Sequence, residues 1–239
     1  VYKRQTDSKT QLVPIVSSSR AARLICEKWS ANYGYLPDAI VVEGPKAGGH
    51  LGFKNEQIED EHYSLEHLIP EVVEVARSYA GRKGIPVIAA GGIATGEDIA
   101  RFMALGASAV QMGSIFVPTE ECDASVKFKQ VYLNAHREDI RIIQSPVGMP
   151  GRAFDGEFIR KVAEGKEKPR SCPFHCIKTC DYTKSPYCII KALYNAARGN
   201  MKKGYAFAGG NAYLSDRIRS VKEVIEKLKA DFFLSKALL

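Results

Sequence analysis

The sequence predicts an α/β chain, the C-terminal half of a parallel (β/α)8 TIM barrel with a small helical, cysteine-containing segment appended. Three observations predict it. Short apolar runs at 12–17 (LVPIVS), 38–43 (DAIVVE), 86–90 (PVIAA) and 109–113 (AVQMG) alternate with amphipathic stretches. Strands without polar alternation belong to parallel sheets covered by helices on both faces. The last two runs end in glycine, Gly91-Gly92 and Gly113-Ser114. Barrel enzymes bind phosphate at such strand ends, where backbone N–H groups lie bare to an anion. Four strand–helix units make half of an eight-stranded barrel, and an open half leaves unpaired strand edges. The sequence is therefore expected to lack the first four units.

The elements follow in order. After the first strand, residues 19–33 repeat apolar positions with the period of about 3.6 of a helix; Ala21, Leu24, Ile25, Lys28 and Trp29 fall on one face. The second strand opens into a long loop (44–63). Ser64 is placed to cap a helix whose Leu65, Leu68, Ile69, Val72, Val73, Ala76 and Tyr79 form a wide apolar stripe. Thr95 with Asp98 reads as a capping box opening a helix that turns Ile99, Phe102 and Met103 inward. Beyond Ser114 the alternation stops. Helices are expected at 121–137, 156–164 and 189–198, and QSPVGMPGRAF (144–154) reads as an irregular, proline-stiffened loop over the pocket. A last helix starts at Ser220, with Glu223 as its capping partner. The expected division is 6–120 for the barrel half, 121–210 for the helical and irregular segment on the substrate side, and 211–239 for a helix packing on the barrel. Residues 1–5 (VYKRQ) read as a sequencing scar on a truncated gene.

The 239 residues are 45% hydrophobic and 26% charged, which suits a globular chain, and the net charge of +7 is scattered. No basic stripe interleaved with aromatics points to nucleic acid. No apolar run approaches the roughly 18 residues needed to span a bilayer, and no signal peptide is visible. A reducing, cytoplasmic setting is the expectation.

The glycines Gly91, Gly92 and Gly113, with the Ser114 hydroxyl, read as a phosphate site; tight strand–helix turns are the alternative. The run Ala47-Gly48-Gly49-His50 brings a titratable ring to the same rim. Imidazole, with an ordinary pKa of about 6.5, accepts a proton near neutrality. The other histidines lack such a context. Cys172, Cys176, Cys180 and Cys188 follow C-x3-C-x3-C-x7-C with His175 inside. Residues four apart share a helix face, so the four thiols can meet a metal ion or iron–sulfur cluster; reduced packing thiols and disulfides stay open as readings. Cys26 and Cys122 read as buried hydrophobes.

The blocks EGPKAGGHLG (43–52), IPVIAAGGIATGEDIARFMALGASAVQMGSIFVPTEEC (85–122) and SPVGMPGRA (145–153) resemble the nitronate monooxygenase family, whose fold and most of whose motifs are shared by flavin-dependent enoyl-acyl-carrier-protein reductases. The resemblance implies an FMN-binding (β/α)8 barrel with FMN contacts at Glu43, Gly48, Gly49, Gly91, Gly92, Gln111, Met112, Gly113 and Ser114. Many members carry Gln where this chain has Glu43. The remaining contacts, an Asn among them, would come from the N-terminal half. His50 would be the base that takes the α-proton of a nitroalkane. The implied activity is oxidation of alkyl nitronates with O2 to a carbonyl compound and nitrite. The alternatives are reduction of an enoyl thioester by NAD(P)H through the same flavin, and a non-catalytic flavin- or metal-binding module. The expected partners are the small-molecule substrate and O2 or NAD(P)H, with a homodimer left open.

Overall fold

The computed structural model describes residues 9–80, 84–176 and 180–237; the expected scar at 1–5 lies outside them. Four strands form one parallel sheet in the order β1 (Ile15–Val16), β2 (Ile40–Glu43), β4 (Val87–Ala90), β5 (Ala109–Gln111). The helices between them are α1 (Ser19–Tyr33), α2 (Leu65–Ala80) and α3 (Gly96–Ala104). This is an arc of a β/α barrel. Register is continuous across its centre, with Val41 opposite Ile88 and Ile88 opposite Ala109. Ile40, Val41 and Val42 are all buried, as a strand covered on both faces requires.

The apolar stripe of α2 is buried as the sequence indicates: Leu65, Leu68, Ile69, Val72, Val73 and Ala76 pack into the main core. The face of α1 differs in part from the expectation. Ala21 and Ile25 pack partly buried against the core as expected, but Ala22 and Cys26 are its buried residues, whereas Leu24 is half exposed and Lys28 is exposed. The buried stripe is rotated because small side chains allow α1 to sit close, so the larger Leu24 is displaced outward. Both expected capping boxes are present: Thr95 Oγ1 accepts from Asp98 N at 3.0 Å, and Ser220 Oγ from Glu223 N at 3.2 Å. The second opens α7 (Val221–Lys236), which lies across the start of α3. There a Cβ on Gly96 would stand 2.3 Å from Phe232 N and 2.4 Å from Leu228 O.

The stretch expected to be helical and irregular contains an antiparallel ribbon instead. Strands β6 (Ile140–Gln144) and β7 (Pro150–Phe154) form a hairpin, and β3 (Gly49–His50) pairs with the free side of β7, with Gly49 opposite Arg152. The prolines and glycines of 144–154 serve its turn. Pro146 sits second in a turn closed by Gly148 N donating to Ser145 O at 3.0 Å, and Gly148 takes φ +82°, in the left-handed region. Helix α4 (Val126–Leu133) is shorter than expected, while α5 (Glu157–Ala163) and α6 (Ile189–Ala197) fall where the periodicity puts them. A second core joins ribbon and helices through rings: Phe158 meets Tyr187 edge-on at 5.4 Å, and Tyr205 meets Phe207 at 5.1 Å. No helix among the described residues is long and apolar enough to cross a membrane.

Candidate functional site

The carboxyl ends of β2, β4 and β5 and the loop around 209–212 enclose a cavity of about 190 Å³. Its walls include Glu43, Gly48, Gly91, Gly92, Gln111, Met112, Gly113 and Ser114, so one cavity gathers residues that are widely separated in sequence. Among the described residues, the amides of Gly92 and Gly113 donate no hydrogen bond to the protein. Both glycines line the cavity and neither is fully buried, so their amides are open to water or to a bound anion. The amides of Ala94 and Thr95, just before α3, are not part of this supply, because Asp98 Oδ2 already accepts from Ala94 N at 2.9 Å and Thr95 N at 3.1 Å.

Local backbone explains the glycines. Gly91 and Gly92 have φ of +100° and +77°, the region L side chains avoid. A Cβ on Gly48 would lie 2.6 Å from Gly209 N, so the cavity wall forms only where two backbones touch. Gly113 differs: a Cβ there meets nothing within 4 Å. Packing does not require glycine at that position. The fourth wall is fixed by Asn211, whose Nδ2 donates to Gly92 O at 2.5 Å, and by Gly209 N, which donates to Ser114 Oγ at 3.0 Å. The Ser114 hydroxyl oxygen is therefore already accepting from the protein. Gly209 and Gly210, in the glycine-rich stretch GYAFAGGN at 204–211, are the sequence signal for this wall.

Glu43 ends β2 in the cavity, and burial raises its carboxyl above the ordinary value. Gly49 and His50 do not line the cavity. They belong to the ribbon, one and two residues beyond Gly48. His50 is half-buried, meets Phe207 edge-on at 5.1 Å, and pairs through Nε2 with Ser145 Oγ at 2.7 Å. Desolvation lowers its pKa below the ordinary 6.5, so the ring is neutral at neutral pH.

Sequence reasoning missed two residues here. Ser145 is buried at the base of the hairpin turn, where its Oγ pairs with His50. Arg152 is buried on β7; its Nη2 donates to Pro45 O at 2.9 Å, pinning the loop that leads into Gly48, while its Nε has no partner among the described residues. The signal for Ser145 was its place before a Pro-x-Gly turn, but only strand pairing brings it to His50.

Cys172, Cys176, Cys180 and Cys188 are free thiols lining one small void. Desolvation, then the charges of the other three thiols, raise Cys180. Among the described residues, no three His, Cys, Asp or Glu side chains stand in ligating geometry. The helical face inferred from the spacing is not formed, since the described part of 172–180 is irregular. Cys26 is buried as expected, whereas Cys122 is only half-buried.

The family model for nitronate monooxygenase matches residues 1–231. The chain belongs to the nitronate monooxygenase family. A probable nitronate monooxygenase of Staphylococcus aureus is 33% identical over 191 residues, covering 79% of this chain and 52% of that protein. One from Staphylococcus saprophyticus is 32% identical over 140 residues, covering 58% and 38%. The chain thus spans about half the length, or less, of these curated relatives. Among solved structures, FabK from Thermotoga maritima aligns with a TM-score of 0.74 at 29% identity, over 99% of this chain and 65% of that one. A nitroalkane oxidase from Streptomyces ansochromogenes, at TM-score 0.70 and 24% identity over 96% and 60%, shares the fold.

Proposed function

We propose that this chain carries the phosphate-binding and proton-accepting part of an FMN-dependent oxidoreductase that oxidises alkyl nitronates with O2. One observation supports it above the others. A neutral imidazole, fixed by Ser145, stands two residues from a cavity lined with bare amides. The cavity suits the phosphate end of a nucleotide rather than a whole one, since drug-sized sites occupy about 300–1,000 Å³. Gly92 and Gly113 would hold the phosphate through their N–H groups, and Gln111 and Met112 would flank it. When bound, FMN supplies the electron transfer between nitronate and O2.

The chain's own contribution is the proton step. In the tautomer that donates Nε2–H to Ser145 Oγ, Nδ1 keeps its lone pair and accepts the α-proton of a neutral nitroalkane. The bonding electrons stay on the substrate, which leaves as nitronate. Ser145 and the Phe207 edge keep the ring from turning away. A His50→Asn holoenzyme tests this with two substrates. General-base loss should cost about 10²–10⁴-fold on the neutral nitroalkane and little on preformed nitronate. Equal turnover of the nitroalkane would overturn the assignment.

A specific feature favours a second reading. Beside the first cavity lies another of about 420 Å³, walled by Lys46, Arg101, Arg137 and Arg152 and by the carboxylates of Glu59, Asp60, Glu61 and Glu66. Arg101 is already paired with Glu66 and Asp98, so Lys46, Arg137 and Arg152 are the cations that would meet a second anionic partner such as NAD(P)H, the reductant for an enoyl thioester. Anaerobic bleaching of the flavin by NADH with crotonyl-thioester turnover would establish that reading; flavin that stays oxidised under NADH would remove it.

A further inference from the structure

The segment from 164 to 188, between α5 and α6, has no regular secondary structure among its described residues, and Tyr187 alone of them is buried. Irregular loops longer than about 12–15 residues are uncommon unless something other than a core holds them. This one passes the same small void four times. Cys172, Cys176, Cys180 and Cys188 face it together with Pro146 and Val147 of the β6–β7 turn. His175 beside them takes a φ of +44°, strained for a side-chain-bearing residue. All four sulfurs are free.

We propose that this void is the site of a single divalent cation of the zinc class, bound by the four cysteine thiolates and tying the 164–188 segment to the β6–β7 turn. Soft thiolate sets of four select zinc or iron–sulfur centres. As it stands the void, at about 20 Å³, accommodates one water-sized body, which matches a single ion. The four cysteines line the void, but among the described residues no three of them stand in ligating geometry, so binding requires the sulfurs to move inward. The ion would draw them to about 2.3 Å and release their protons. Because an ordered apo site is not required, binding energy becomes folding energy for this segment.

The consequence reaches the catalytic ribbon. Tyr187 adjoins Cys188, donates its hydroxyl to Tyr205 Oη at 3.2 Å and packs on that ring, which packs on Phe207 against His50. The cation would brace the seat of the imidazole without touching it.

The test is metal content and protease protection, independent of turnover. Protein purified under reducing conditions and dialysed against zinc should retain about one zinc ion per chain. Its thiols at these positions should resist a thiol reagent until a chelator is added. Trypsin should cut at Lys166, Arg170 or Lys184 at least about tenfold faster in the chelated protein. Cys176→Ser with Cys180→Ser should weaken zinc retention by about 100-fold or more. The single exposed-site variant Cys180→Ser gives a milder version should the pair fail to fold. Absence of retained zinc, iron with acid-labile sulfide in its place, disulfides resistant to reductant, or unchanged zinc affinity in Cys180→Ser would each overturn the proposal.

Discussion

Gly113→Ala separates a glycine kept for a ligand from a glycine kept for packing, and Gly48→Ala is its control. At Gly113 the added methyl meets no protein atom within 4 Å, and φ is −128°, outside the left-handed region. Folding stability should change by less than about 1 kcal/mol. The methyl enters the cavity beside the bare amide, so FMN should lose one charge-assisted hydrogen bond, worth about 1.5–3 kcal/mol. That is about 10- to 150-fold in Kd. At Gly48 the methyl would lie 2.6 Å from Gly209 N and 2.7 Å from Ala208 C, both backbone. Relief requires the 208–211 loop to retreat by several tenths of an ångström. That movement strains the bond from Gly209 to Ser114 Oγ and the 2.9 Å bond from Gly210 N to Lys46 O. Overpacking costs about 1–3 kcal/mol, and the two bonds add about 1 kcal/mol or more. A Tm lower by about 5–12 °C should follow. Quenching of FMN fluorescence on titration measures binding, and thermal denaturation of the apoprotein measures stability. If Gly113→Ala bound FMN like the parent, or melted as early as Gly48→Ala, the assignment of bare amides to a phosphate would be wrong.

Three further outcomes are expected. His50 is held below its ordinary pKa, so the unfolded chain binds that proton more readily. Stability should fall as pH drops from about 6.5 towards the lowered folded value, then level off; this step should vanish in His50→Asn, as read by urea melts across pH. Burial raises the Glu43 carboxyl, so the ionised form costs stability. That cost grows as pH rises from about 4.3 through the raised value. Glu43→Gln should remove it and tighten FMN, with an unchanged Kd refuting the placement beside the phosphate. Gly96→Ala places a methyl 2.3 Å from Phe232 N and should cost about 1–3 kcal/mol without altering the FMN Kd of protein kept folded well below its melting temperature.

Several features were legible in the order of residues alone. The runs IVVE and VIAA are apolar on both sides and must be buried strands; Thr95 with Asp98 and Ser220 with Glu223 announce helix starts. Gly91-Gly92 and Gly113 mark the strand ends that line the cavity. These are local signals, because capping, periodicity and left-handed turns act within a few residues. Long-range pairing is not encoded locally. The hairpin of β6 and β7 was hidden because Pro146, Gly148 and Pro150 read as loop, and its three-strand ribbon depends on Gly49-His50 docking from about a hundred residues away. The rotated face of α1 follows from how closely Ala22 and Cys26 let it approach the sheet, which hydrophobicity does not report.

The sequence by itself determined the strand–helix alternation, the glycines at the strand ends and the family motifs, because these rest on steric and hydrogen-bonding rules spanning a turn or two of chain. Only the tertiary structure decided that Ser145 holds His50, that Arg152 pins the Pro45 carbonyl, and that four cysteines ring one void. Each of those joins segments whose approach is set by packing over the whole fold, and no rule of local spacing fixes such a distance.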